Sequence, residues 1–264
     1  MKNDLRLLRN LVLIVVLAAE GVFAQSPYEL ETRQEIALLG TGLALELFGL
    51  YLNSIMPVLT PEQIENLSPE NVNPFDRGTS ANWSPKADKA SDYLLNASRV
   101  WPVTLFLSGK IRGDTFKILA LYVETVLCMA GPTLTTKGAV RRIRPFVYNN
   151  DLPLDQKTTK FARRSFYSGH TVEAFSSVVF TARVLSDYYP KSDYKNLVWG
   201  AALLHAGIVG YLRHAAGKHF PTDIITGAIV GSFVGYIIPE IHKKEAKAAG
   251  EPIPDFALSF SFQL

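Results

Sequence analysis

The stretch 196–238 sets the strongest constraint on what this chain can become. Two long apolar runs, 196–212 and 224–238, are joined by only eleven residues, RHAAGKHFPTD. Helical runs with so short a link pack as antiparallel neighbours. The same pattern recurs upstream: the sequence predicts helices over about 34–57, 90–109, 114–134, 172–188, 195–213 and 222–239, and no β-branched alternation of strand length interrupts them. The expected fold is therefore all-α, a six-helix bundle over 25–245. A chain of 264 residues leaves little room for a second full core.

Charged residues make up 19% of the chain and apolar ones 48%, so a membrane-embedded bundle competes with a greasy soluble one. The runs 38–59, 116–134, 196–212 and 224–238 approach the roughly 20 apolar residues that a bilayer requires. The run 172–189 carries Glu173, Arg183 and Asp187, and the helix around Trp101 is interrupted by Asp92, Arg99 and Pro102. Residues 1–24 read as an export signal, with Lys2, Arg6 and Arg9 ahead of the apolar 11–19 and a small residue at Ala24; a retained anchor is the other reading. If the chain starts outside and the weak helix 90–109 does not cross, five spans result and the end near Lys137 faces outward. Lys110, Arg112, Lys191, Lys195 and the run His242-Lys243-Lys244 then fall on the cytoplasmic side. The segment 60–92, rich in Pro, Asn and Ser, reads as a long connection or lid. The tail 246–264 ends in FALSFSFQL, whose period of two is that of a short extended strand. Cys128 lies inside an apolar run and reads as packing.

Three polar clusters interrupt the helices, and alternating helix direction brings all of them to one end. The first runs from Lys137 to Arg144 and Pro145, the second is Ser168-Gly169-His170, and the third runs from Arg213 through His219 to Asp223. The window 137–164 holds eight Lys or Arg against two Asp, a focus of charge that suits an anionic partner. Nucleic acid does not fit, because aromatic residues do not interleave with the basic ones. Lys137, Arg144 and Arg213 supply fixed positive charge, and the Ser168-Gly169-His170 helix start supplies amide donors and a glycine for close approach. Such a pocket suits a tetrahedral oxyanion. His219 and Asp223, four apart across a helix start, let a carboxylate hold one ring nitrogen and leave the other as a nucleophile. His170 is placed to protonate a leaving oxygen. Arg141, Arg142, Arg163 and Arg164 fit a solvated or headgroup-facing surface as well as anion steering, and His205 and His214 read as packing residues.

The order Lys-six residues-Arg-Pro, then Ser-Gly-His, then Arg-five residues-His-three residues-Asp resembles the signature of the type 2 phosphatidic acid phosphatase superfamily. The likeness covers about 114–239. It implies that His219 attacks phosphorus to form a phosphohistidine, that Asp223 orients it, and that His170 acts as acid and then base. Lys137, Arg144, Ser168, Gly169 and Arg213 would hold the phosphoryl oxygens. No metal or other cofactor is implied. The resemblance makes a phosphorylated lipid in a bacterial cell-envelope membrane the leading substrate, with a soluble periplasmic acid phosphatase acting on small esters as the alternative and a vanadium haloperoxidase as a remote one. Tyr167 and Leu212 depart from the pattern, standing where proline and serine are usual.

Overall fold

The computed structural model describes residues 26–80 and 82–244. The leader 1–24 and the tail 246–264 lie outside the described residues. Six long helices form the bundle: α1 (Thr32–Ser54), α2 (Pro85–Thr104), α3 (Thr115–Val140), α4 (Gly169–Tyr188), α5 (Lys195–Ala215) and α6 (Pro221–Ile241). Their starts follow local chemistry. Ser84 and Ser168 cap α2 and α4 by accepting from backbone N–H groups of their first turns, and Pro85 and Pro221 open α2 and α6, where a missing N–H costs nothing. Helix α3 stops at Arg141, which adopts a left-handed backbone with φ 52°.

Small residues set the packing. Gly227, Gly231 and Gly235 recur every fourth residue on α6; a Cβ at each would stand 2.9, 2.4 and 2.5 Å from the backbone oxygens of Ser168, Val172 and Ser176. Helix α6 therefore lies directly against α4, and the rising numbers on both sides show that the two run parallel. The pair α1 and α3 repeats the device, with a Cβ at Gly49 only 2.5 Å from Thr135 N and one at Gly131 only 2.4 Å from Gly42 O. Helix α4 forms the central post, packed by α2, α3, α5 and α6. Large apolar side chains on the outer faces of the other five helices, such as Phe48, Val100, Leu119, Leu204 and Phe233, stay exposed, whereas α4 contributes none. Helices α1, α3 and α6 are long and apolar enough to cross a membrane.

Several expectations need correction. The helix 90–109, expected not to cross, packs within the bundle against α4 and α5. Its counterpart α2 has Asp92 beside His170 at one end of the bundle, and Ser108, four residues past its last turn, stands beside Tyr189 at the other. It reads as weak because its inner face is polar: buried Ser98 donates to Leu94 O and meets His205 Nε2 at 2.9 Å. Helices α4 and α5 fall outside the three that meet a bilayer's demands of length and composition. Helix α3 continues past 134 to Val140, so Lys137 projects from its last turn. The segment 60–92 is neither irregular nor loose. Thr60, Ser68 and Asn73 each cap a short helix that a proline opens, at Pro61–Glu65, Pro69–Asn71 and Pro74–Arg77. Asn-Pro and Ser-Pro steps end extended chain, but they also begin helices.

With α2 counted, the described residues pass six times along the bundle. Residues 26–31 lie at the end away from the three clusters, where Glu29 N donates to His242 O and Lys244 N to Pro27 O.

Candidate active site

The three clusters meet at one end, between the last turn of α3, the start of α4 and the turn from α5 into α6. His219 is 1% exposed. Its Nε2 lies 3.2 Å from Arg144 Nη1, an N–H that can only donate, so Nε2 presents its lone pair to the basic cluster. Burial, and then the positive charges of Arg144, Lys137 and Arg213, hold the His219 pKa well below the usual histidine range. The ring is therefore a neutral base at ordinary pH.

Arg144 is itself fixed from four directions: Nε donates to Phe161 O, Nη1 to Lys218 O and Nη2 to Arg164 O, and the guanidinium lies 3.8 Å from the Phe161 ring centre. Lys137 donates to Arg164 O at 3.1 Å and to Tyr167 O. Arg213 donates from Nη1 to Asp88 Oδ1 at 2.6 Å and to Ser91 Oγ at 3.0 Å, and its buried Nε makes no bond. Ser168 accepts from Thr171 Oγ1 at 2.8 Å, which leaves its own hydroxyl proton to donate. A Cβ on Gly169 would meet only Lys137 Cε, at 3.5 Å, so no protein atom demands the glycine. His170 Nε2 is 2.7 Å from Asp92 Oδ1. The structure thus brings together all eight residues singled out in the sequence.

The relation of Asp223 to His219 differs from the expectation. Their Oδ2 and Nδ1 are 3.7 Å apart, an ion-pair distance too long for a hydrogen bond, and Nδ1 has no partner. Asp223 is instead held by Arg142, which donates from Nη1 to Oδ1 at 2.5 Å, and by Ser165 Oγ and Phe220 N, which both donate to Oδ2. Arg142 is therefore no surface residue. It bridges two fully buried carboxylates, Asp223 and Asp76, and its guanidinium lies 4.3 Å from the Phe220 ring centre. Burial opposes the charge on Asp76, but hydrogen bonds from Thr222, Arg142 and Asn73 outweigh it and hold its pKa below the usual carboxylate value.

The segment 60–92 supplies what the sequence reading missed. Asp76 receives Thr222 N and Oγ1, Asp88 binds Arg213 and also Lys218 Nζ at 3.0 Å, and Asp92 fixes His170. Lys218 lies over the rings of Trp83, Phe146 and Phe161, and burial lowers its pKa against the pull of Asp88. His214 ties down the same segment through Thr79 and Asn82. Tyr167 is a core residue whose hydroxyl accepts from Thr133, in keeping with a residue that shapes the turn.

Residues 117–247 match the PAP2 superfamily. The lipid A 4'-phosphatase of Porphyromonas gingivalis is 27% identical over 161 residues, which cover 57% of this chain and 64% of that protein. The match thus spans less than two thirds of that relative's length. Among solved structures, the transmembrane PAP2-type phosphatidylglycerolphosphate phosphatase of Bacillus subtilis is 19% identical, with a TM-score of 0.48, covering 76% of this chain and 95% of its own. LpxE of Aquifex aeolicus is 25% identical, with a TM-score of 0.44, covering 62% of this chain and 92% of its own.

Proposed function

Through residues 117–247 the chain belongs to the PAP2 superfamily, and from that premise we propose that it is a lipid phosphate phosphatase working through a phosphohistidine. The observation that carries the proposal is His219: a buried neutral imidazole whose bare Nε2 faces Arg144, with Lys137 and Arg213 close enough to act on its charge. Nε2 attacks phosphorus in line with the leaving oxygen, and the bond from phosphorus to that oxygen breaks. Lys137, Arg144 and Arg213, with Ser168 and the amides of Gly169 and His170, hold the three equatorial oxygens, where charge gathers in the transition state. Asp92 engages Nε2 of His170, so Nδ1 is the nitrogen left for the leaving oxygen. It gives a proton from the imidazolium that Asp92 pairs with, returning the ring to its neutral form. The same nitrogen then takes a proton from water, which attacks the phosphohistidine and releases phosphate. Asp223 acts at ion-pair range on the charge that His219 gains as a phospho-imidazole.

The apolar outer faces support a lipid over a soluble ester, because a substrate chain held in the bilayer reaches a site at the bundle's end without leaving the membrane. The lipid A 4'-phosphatase relative makes a phosphorylated glycolipid the first substrate to try. In this proposal the 25–245 unit acts alone and its site faces the periplasm, with Lys110, Arg112, Lys191 and Lys195 at the cytoplasmic end. If all six helices cross, residues 26–31 are then cytoplasmic. In that arrangement an outward-facing site and an export signal that delivers residue 25 outward exclude one another. Labelling of single cysteines at positions 30, 160 and 191 from each side of the membrane decides between them.

The central test is phosphate release by purified protein from a lipid A analogue, phosphatidate, phosphatidylglycerol phosphate, undecaprenyl diphosphate and a soluble aryl phosphate. His219→Ala should abolish release from every active substrate. Turnover only of the aryl phosphate would remove the lipid assignment, and undiminished turnover in His219→Ala would remove the nucleophile.

A further inference from the structure

At the end of the bundle away from the site, α1, α3 and the residue after α6 bring Glu35, Glu124 and His242 into contact. All three are buried, Glu124 at 0% and His242 at 2% exposure, and one ligand atom from each lies within 4.8 Å of the others. His242 Nδ1 is 2.7 Å from Ile238 O and donates to it, so a neutral ring turns a bare Nε2 toward the two carboxylates. Nε2 is 2.9 Å from Glu35 Oε1 and 3.2 Å from Glu124 Oε2. Three acceptors at such distances need a shared proton or a metal cation among them. A proton on Nε2 serves one carboxylate, Glu35, and neither oxygen of Glu124 then accepts a hydrogen bond. Two unmet oxygens on a carboxylate with no solvent exposure are costly.

We infer that Glu35, Glu124 and His242 form a binding site for one divalent transition-metal ion of the Zn2+ class. A divalent ion meets all three ligands at once and cancels their two negative charges. Ligands at the roughly 2.0–2.1 Å typical of zinc stand about 3.3 Å apart in a tetrahedron, close to the two distances from Nε2 to the carboxylates. The imidazole favours Zn2+ and its neighbours over Mg2+ or Ca2+. The Nδ1 contact to a backbone carbonyl is the outer support that metal-bound histidines usually have. Gln34 Nε2 closes one side, 3.3 Å from the ring nitrogen and donating to Ile241 O. The ion would clasp the first turn of α1 to the end of α6. It plays no part in the chemistry proposed for His219, which lies at the other end of the bundle.

The full chain, purified in detergent without a polyhistidine tag or chelator, is incubated with Zn2+, desalted and measured by elemental analysis. Retention of about one ion per chain is expected, with Co2+ loading giving the visible absorption of a tetrahedral centre. Glu124→Gln and His242→Ala should each lose most of the bound ion, while His219→Ala retains it. Wild-type protein that is folded by circular dichroism yet keeps under about a tenth of an equivalent of Zn2+, Co2+, Mn2+ or Fe2+ overturns the inference. So does Glu124→Gln that keeps the full complement, or His219→Ala that loses it.

Discussion

Replacing Arg142 by Gln removes the one cation shared by Asp76 and Asp223, both 0% exposed. Removing one partner of a buried ion pair typically costs about 3–5 kcal/mol. Two facts favour the lower end. The Arg142 side chain is 22% exposed, so water already screens the bridge, and both carboxylates keep other donors. Asp76 retains Thr222 N, Thr222 Oγ1 and Asn73 Nδ2, and Asp223 retains Ser165 Oγ and Phe220 N. A loss of about 3 kcal/mol follows, equivalent to a fall of about 6–12 °C in Tm at about 2–4 °C per kcal/mol for a chain of this size. Asp76→Asn in the same background removes one of the stranded charges, so the double variant should recover about 1–2 kcal/mol relative to the sum of the single losses. Thermal unfolding in detergent, followed by circular dichroism for the four proteins of the cycle, measures this directly. Additivity within about 0.5 kcal/mol would show that Arg142 does not couple the two carboxylates, and the account of how the 60–92 segment is fastened to the α6 turn would fail.

The low pKa of His219 should keep it a competent nucleophile into acid, so the acid limb of kcat/KM lies below the ordinary histidine value of about 6.5; a limb at or above that value would contradict its burial among cations. The sign for stability is fixed too: folding lowers this pKa, the unfolded chain takes the proton first, and unfolding measured across pH should show stability falling as pH drops below about 6.5. Asp92→Asn should lower kcat about tenfold with little change in KM and add little to the loss in His170→Ala, because both changes break one pair. Gly231→Ala should cost about 1–3 kcal/mol in the same melts, since the new Cβ would stand 2.4 Å from Val172 O, whereas Gly207→Ala, with nothing within 4 Å, should raise Tm through better helix propensity.

The residues of the candidate site could be picked out because they are close together in the sequence. Ser168, Gly169 and His170 are consecutive, and Arg213, His219 and Asp223 fall within eleven residues that run from the last turn of α5 to the first turn of α6. What holds those groups was not legible. Asp76, Asp88 and Asp92 sit 66 or more residues ahead of the groups they hold, which are Arg142, Arg213 and His170, in a stretch whose prolines read as breaks although they start helices. Arg142 looked like one of several surface arginines, since no sequence pattern shows that its fork closes over two buried carboxylates. The helix 90–109 was left out of the expected spans for a similar reason. Helix α2 buries Ser91 and Ser98 against its neighbours, so its inward face lacks the apolar signature used to recognise a buried helix.

Residues 26–29 and 242–244 are stitched together by the bridge between Tyr28 and Lys243 and by the backbone bonds of Glu29 and Lys244. The described chain is therefore a closed circuit: six traverses return it to its starting point. Reporter domains joined directly at residue 26 and at residue 244 begin from the same face and should give the same compartment signal. A permuted gene that joins those ends and opens the chain between Tyr189 and Lys195 would leave every traverse, and the whole of the site, uncut.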